Sequence, residues 1–328
     1  MYLLKYLYHN SFLIAKAFFC LKKTERTGEQ YIHLIEAKYN GKLETAAIKK
    51  AAKFQSIQQH LINDNFTGLY GRNTNDYEQV SNRLYFIMSG LYDDILDNKI
   101  LSITELDKLF EYPENANQNI PQERLLANIH LKLLSRVSDI KNYKEVVNNI
   151  HAAQKDSIKQ FNKEITLPDI LDITKRKGGY SLLMCRHYLN LNGSITMDNC
   201  WFNMGGVIQM TNDLFDIYKD LQDGIQTFAN TAINYESTKA IFDSQVDLFK
   251  SSIQKLEYAD QKKQKLLIQL SLIPAFGYIA LDNLKQIQNG ESQLPSLSTL
   301  NRKQLIIDME QPKHILKLFK YAYQIANI

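Results

Sequence analysis

Glycine and proline are scarce, 13 and 6 in 328 residues. That excludes a turn-rich β architecture and favours long helices with few reversals. Cysteine is nearly absent. Cys20, Cys185 and Cys200 are far apart and form no CxxC pair, which argues against a disulfide framework or a zinc site and suits a reducing, cytoplasmic setting. The seven histidines make no HExxH, and no Glu-x-x-His occurs, which argues against a ferritin-like di-iron bundle. Charge of one sign is also lacking. Lys and Arg number 39 against 35 Asp and Glu, a net charge of +4, with no basic cluster interleaved with aromatics, so a nucleic-acid partner is not expected. No apolar run reaches membrane length. Met1 to Lys23 is interrupted by Lys5, His9, Asn10 and Lys16, and Leu266 to Leu281 contains Gln269, Ser271 and Pro274. The first reads as a packed helix without a basic leader, the second as a buried helix kinked at proline.

What remains is helical periodicity almost throughout. The apolar spacing predicts helices at about 2–22, 28–38, 43–62, 75–98, 102–110, 122–137, 142–162, 167–190, 196–222, 235–257, 260–288 and 312–326. Breaks fall at turn chemistry such as Asn63-Asp-Asn65, Gly71 to Asp76, Tyr112 to Asn117 and Asn289-Gly290. Thr166-Leu-Pro-Asp169 has the form of a helix start. No linker or repeat divides the chain. The expectation is one all-α domain over 1–328, with enough apolar material, 45% of residues, for a large core.

Two aspartate-rich stretches stand out against this background. Leu91-Tyr-Asp-Asp-Ile-Leu-Asp-Asn98 carries Asp93, Asp94 and Asp97. Gln209 to Asp220 carries Asn212, Asp216 and Asp220 four residues apart. On a helix, residues four apart are neighbours, so each stretch presents a row of hard oxygen donors on an otherwise apolar helix. Mg²⁺ takes carboxylate oxygens together with substrate phosphates, and the pair of rows reads as a metal-bridged diphosphate site. Asp94 and Asp213 lie about 100° off their rows and read as supporting residues. A solvated acidic face is the plain alternative for both stretches.

A diphosphate needs further positive charge. Lys175-Arg-Lys177 provides it, with Arg176 the preferred contact, and Arg186 and Lys219 can add to it. A surface charge run is the competing reading. Gly178-Gly179 follows directly inside an otherwise helical run. The pair is expected either to kink the helix and bare its backbone to a cavity, or to allow a close helix–helix approach. Tyr92, Tyr180 and Phe215 lie near these motifs with Tyr85, Phe86, Trp201, Phe202 and Tyr218. Their faces suit a cation, and core packing explains them equally well.

Asp-Asp-x-x-Asp at 93–97 with Asn-Asp-x-x-Asp-x-x-x-Asp at 212–220 resembles the motifs of the class I isoprenoid synthases. The first is similar to that of trans-prenyltransferases and terpene cyclases. The second resembles the cyclase Asn/Ser/Glu triad, with Asp216 and Asp220 in the Ser and Glu places, and also the second motif of squalene and phytoene synthases. Lys-Gly-Gly-Tyr-Ser at 177–181 is similar to a segment of the bacterial large-terpene (tetraprenyl-β-curcumene-type) synthases. The motifs cover about a tenth of the chain, while their order and helical background agree over most of it.

The resemblance implies an isoprenoid-synthase-like helical bundle around a central apolar cavity. It implies three Mg²⁺ ions held by Asp93 and Asp97 on one side and Asn212, Asp216 and Asp220 on the other, and catalytic roles for these residues and Asp94. The substrate would be a linear polyprenyl diphosphate bound by Arg176, Lys177, Arg186 and Lys219. Tyr92, Gly178, Gly179, Tyr180 and Phe215 would line the carbocation's cavity. The implied reaction ionises the diphosphate to an allylic cation, forms a cyclic or linear terpene and releases pyrophosphate. The chain departs from the elongating prenyltransferases. It has no early Gly-Gly-Lys-Arg motif, and its second motif begins with Asn212 instead of Asp. Lys320-Tyr321 only loosely resembles the terminal Arg-Tyr of cyclases. A prenyltransferase, elongating or joining two prenyl diphosphates, is the alternative. A non-catalytic helical partner or lipid-binding subunit is the reading from another class. Homodimerisation and peripheral membrane contact are compatible with the chain.

Overall fold

The computed structural model describes residues 22–191 and 193–327, apart from the Asp97 side chain. The helix expected over 2–22, and Cys20 with it, lie outside the described residues up to residue 21. Helix α1 covers 22–39. It is followed by α2 (Thr45–Ile57), a π-helical turn (Gln58–Asn63), α3 (Asp64–Thr67), α4 (Asp76–Asp97), α5 (Ile103–Glu111), α6 (Pro121–Leu134) and α7 (Ile140–Ser157). Then come α8 (Leu167–His187), α9 (Ile195–Phe215), α10 (Ile217–Asp223), α11 (Tyr235–Gln254), α12 (Asp260–Leu270), α13 (Leu272–Gln288), α14 (Arg302–Leu305) and α15 (Pro312–Ala326). No strand occurs among the described residues, and the chain is all-α. It groups into two compact units, 22–145 with 185–191 and 146–184 with 193–327.

In the first unit, α4 starts at a reciprocal cap. Asn75 Oδ1 accepts the Glu78 N–H at 2.9 Å, and Glu78 Oε2 accepts the Asn75 N–H at 2.9 Å. Leu84, Ile87, Leu91 and Ile95 recur every three or four residues and are fully buried, and this stripe packs α4 against α2 and α6. Glu78 does more than cap. Its carboxylate is 1% exposed and takes both Arg72 Nη atoms at 2.7 Å and the Asn190 N–H at 2.6 Å. Arg72 in turn donates to the Asn190 carbonyl at 3.0 Å. One carboxylate thus ties residues 72, 75 and 190 together.

In the second unit, α9 is the central helix. Cys200, Trp201, Met204, Val207, Met210 and Leu214 are all fully buried, and α9 packs against α11 and α13. Helix α8 begins where the sequence places it, with Thr166 Oγ1 donating to Asp169 Oδ2 at 2.6 Å and accepting the Asp169 N–H at 3.3 Å. It then runs unbroken through Gly178-Gly179 to His187. This corrects the kink-and-cavity expectation for the glycine pair and supports its packing alternative. A Cβ on Gly178 would collide with the Gly205 carbonyl, one on Gly205 with the Gly178 carbonyl, and one on Gly179 with the Phe202 ring. The glycines let two antiparallel helices touch backbone to backbone.

The helix expected over 260–288 is two helices bent by 40° at Ser271. Pro274 lies in the first turn of α13, where its missing N–H costs little. Gly277 faces the Phe242 ring, leaving no room there for a Cβ. No single described helix is long and apolar enough to cross a membrane. The bent α12–α13 pair passes that test by composition, and its Leu266, Leu267, Leu270, Leu272, Ala275 and Ile279 are buried in the protein.

Two outcomes follow from this packing. Gly205→Ala forces α8 and α9 apart and costs about 1–3 kcal/mol or more, whereas Gly68→Ala, with open space at its Cβ, is neutral or slightly stabilising. Urea denaturation distinguishes them. Burial pushes the Glu78 carboxyl up, and the Arg72 hydrogen bonds and the Asn75 and Asn190 N–H groups outweigh it, so the group ionises below its ordinary range. Its stabilisation is present above the unfolded-state value and lost as pH falls through the lower folded value. Glu78→Gln therefore costs about 2 kcal/mol at pH 7, a difference that shrinks towards zero in acid.

Candidate functional site

The first aspartate row ends its helix. Asp97 is the last residue of α4 and Asn98 its cap, and the Asp97 side chain lies outside the described residues. No basic side chain occupies that last turn. Acidic side chains there face the negative end of the helix dipole, which is unfavourable without a cation. Asp93 is 38% exposed, with Lys50 Nζ 3.5 Å from its Oδ2. Asp94 Oδ1 accepts from Asn98 Nδ2 at 2.7 Å. Tyr92 is buried, packed edge-to-face on Phe110 with centroids 5.9 Å apart, and burial raises its hydroxyl well above the usual range. Arg186, in the same unit, is buried on α8, and burial, with the Arg186 charge second, drives His187 down to about 4.

The second row is not one straight column. The expected helix over 196–222 is broken at Asp216, which caps α9 at its C-terminus and precedes α10 with φ −96° and ψ 11°. The hydrogen-bond ladder survives the kink. The Asp216 N–H donates to the Asn212 carbonyl and the Asp220 N–H to the Asp216 carbonyl, both at 2.8 Å. The three members therefore remain one turn apart around a bend. Asn212 is half-buried, Asp216 exposed and Asp220 buried. Phe215 is half-buried, with its ring 6.5 Å from that of Phe276.

Asp213, read from the sequence only as a supporting residue, is the most deeply placed carboxylate of this row. It is 5% exposed. Thr174 Oγ1 donates to its Oδ2 at 3.2 Å and Gln209 Nε2 to its Oδ1 at 3.0 Å. Burial raises its carboxyl to about 6, against the pull of Gln209, Lys177 and Thr174. Burial together with the charges of Asp213 and Asp216 raises Asp220 to about 7. The i, i+4 spacing of Gln209 and Asp213, with a hydroxyl one turn before the glycine pair, is the signal that could have singled Asp213 out.

The basic residues divide. Arg176 is held by Asp172 at 2.7 Å and by Asp156 at 2.8 Å, so a diphosphate would have to displace two carboxylates from it. Lys177, half-buried, directs its charge at Asp213. Lys219 is exposed and pairs with Asp223 at 3.2 Å. Burial disfavours its charge, but Asp223, Asp220 and Asp216 keep it protonated beyond the lysine range. Tyr180 packs edge-to-face on Phe202 at 4.9 Å, while Gly178 and Gly179 belong to the helix crossing.

Among the described residues, no three His, Cys, Asp or Glu side chains converge on one point as a metal cage. Mg²⁺ does not require one. It is commonly held by one or two carboxylates, with water and substrate phosphate filling the remaining positions. Carboxylates that raise one another's proton affinity in a half-buried setting are a donor set a divalent cation suits. No family model matches the chain, and no curated protein does.

A raised carboxyl favours the folded state while it is protonated, and that benefit disappears as pH climbs from the unfolded value through the folded one. For Asp220 the window is about pH 4 to 7. Asp220→Asn therefore melts above the parent at pH 8, by about 2–4 °C, and equal to it at pH 4. Melting curves across pH in EDTA are the check.

Proposed function

We propose that the chain is a Mg²⁺-dependent class I terpene synthase acting on a linear polyprenyl diphosphate. The observation that carries this reading is the placing of Asp213, Asp216 and Asp220 within two turns at the α9–α10 bend, where burial and then the charges of Asp213 and Asp216 lift the proton affinity of Asp220. The sequence supplies a second acidic row at the end of α4. Both suit an ion whose coordination is completed by phosphate oxygens.

In this reading, Asn212, Asp216 and Asp220 in the second row would hold magnesium for the diphosphate, and Asp93 and Asp97 in the first row are metal donors of their own unit. Mg²⁺ bound there supplies Lewis-acid charge to the leaving pyrophosphate. Lys177 and Lys219 meet the remaining phosphate charge, and Asp213 anchors the second row by accepting from Thr174 and Gln209. An isoprenoid-synthase-like bundle with an apolar cavity would keep water from the allylic cation, and Tyr92, Tyr180 and Phe215 would offer it aromatic faces.

The test is pyrophosphate release and hydrocarbon analysis with a series of linear prenyl diphosphates. The expected result is metal-dependent turnover of one diphosphate alone, abolished by EDTA. Asp93→Ala or Asn212→Ala should fold normally and lose about 10²–10³ in turnover. Near-full activity in either variant overturns the metal assignment. A product that requires two diphosphates favours the condensing prenyltransferase, and no release at any chain length favours a non-catalytic or lipid-binding role.

A further inference from the structure

The positive charge of the chain is not spread evenly. Helices α12 and α15 carry Lys262, Lys263, Lys265, Lys313, Lys317 and Lys320 against a single acid, Asp260. That surplus exceeds the net +4 of the whole chain, so the remainder is slightly acidic. The two helices pack together in the second unit, with Gln264 Nε2 donating to the Ala326 carbonyl at 2.7 Å. Two of the lysines are engaged by carboxylates. Lys317 pairs with Asp282 of α13 at 2.6 Å, and Lys263 with Asp260 at 2.8 Å. Lys262, Lys265, Lys313 and Lys320 are exposed.

Helix α15 is fixed by its inner face. Leu318, Ala322, Ile325 and Ala326 are buried, and Tyr321 Oη donates to Asp282 Oδ1 at 2.7 Å. The outer face differs. Leu316 is 71% exposed and Ile315 41%. Leu316 follows Lys313 by three residues and precedes Lys320 by four, so the three share one stripe. Phe319, one turn beyond Ile315, is half-buried beside them. No acid lies in α15. The nearby carboxylates stand in the segments before the helices, Asp308 and Glu310 ahead of α15 and Glu257 ahead of α12.

Aliphatic side chains flanked by lysines, on a helix already docked by its other face, suit a bilayer interface. The lysine stems let their charges reach lipid phosphates while the aliphatic groups enter the acyl boundary. Nucleic acid would be met by arginine and exposed aromatic platforms, which this stripe lacks. A second copy, related by a two-fold axis, would set lysine against lysine. We propose that α15 docks the protein on an anionic lipid surface. Leu316 and Ile315 enter the acyl boundary, Lys313 and Lys320 meet lipid phosphates, and Lys262 and Lys265 of the neighbouring helix add to the attraction. The association is peripheral and reversible, far short of a spanning helix. It is independent of the proposed terpene chemistry, and its test uses EDTA and no prenyl diphosphate, so the two readings fail separately.

The experiment is co-sedimentation of the whole chain with phosphatidylcholine vesicles, plain or containing roughly a quarter phosphatidylglycerol. At about 0.1 M salt the anionic vesicles should bind at least about tenfold more tightly, an advantage largely lost at about 0.5 M. Lys313→Glu combined with Lys320→Glu should weaken partition at least about tenfold, and Leu316→Ser about fivefold. Leu316→Trp should give a blue-shifted emission on anionic vesicles, against the constant signal of the fully buried Trp201. These positions are exposed, so each variant should melt with the parent, and the lipid-charge and salt dependence of the parent needs no variant. The proposal is overturned by absent or equal binding to the two vesicles, by unchanged partition of the lysine double variant, or by no blue shift at position 316. Tighter retention of a nucleic acid, or a dimer in sedimentation velocity that Leu316→Ser dissociates, assigns the face to that partner and overturns it too.

Discussion

The second unit depends on one contact, the meeting of α8 and α9 through Gly178 and Gly205. Glycine in a helix interior costs about 1 kcal/mol relative to alanine, so the three glycines at this crossing, 178, 179 and 205, represent roughly 3 kcal/mol of helix propensity surrendered. The return is backbone-to-backbone approach. It brings Thr174 and Lys177 up to Asp213 and allows a buried carboxylate to find a hydroxyl donor on the neighbouring helix. Were the two axes separated by a methyl group's width, Thr174 would lose its acceptor and Asp213 one of its two donors. The acidic row therefore owes its position to residues that have no side chains.

A second regularity links the aspartate stretches. Each sits where a helix ends, Asp97 at the last residue of α4 and Asp216 at the cap of α9. A helix C-terminus carries outward-facing carbonyls and a partial negative charge, so carboxylates placed there add like to like. In the second row, burial first and neighbouring carboxylates second raise the proton affinities of Asp213 and Asp220. A nearby positive charge relieves that repulsion.

Much of the helical layout was legible in the chain itself. The Thr166-to-Asp169 start of α8, the apolar stripe of α4 and the division near Tyr112 follow from capping and periodicity, which are local. The breaks were less legible. Periodicity runs straight through Asp216 because the ladder bonds persist on either side of it, and only the backbone angles reveal the bend. Pro274 announced a kink, yet the chain turns at Ser271, since proline is accommodated inside the first turn of α13. For the glycine pair, sequence offered cavity or packing, and the choice depended on Gly205, remote along the chain. The depth of Asp213 and the commitment of Arg176 to Asp156 and Asp172 likewise rest on tertiary partners that spacing does not encode.

The Glu78 knot has a consequence for synthesis on the ribosome. Its carboxylate leaves the exit tunnel long before the amide of Asn190, 112 residues later. At typical elongation speeds that interval is roughly 6–22 s. Throughout it the nascent segment holds only its nearby arginine and cap, with a hydrogen-bonding site still open. The first unit therefore cannot close until residues 146–184 of the other have been made, so vectorial production imposes an order on the two that their positions in the sequence do not suggest.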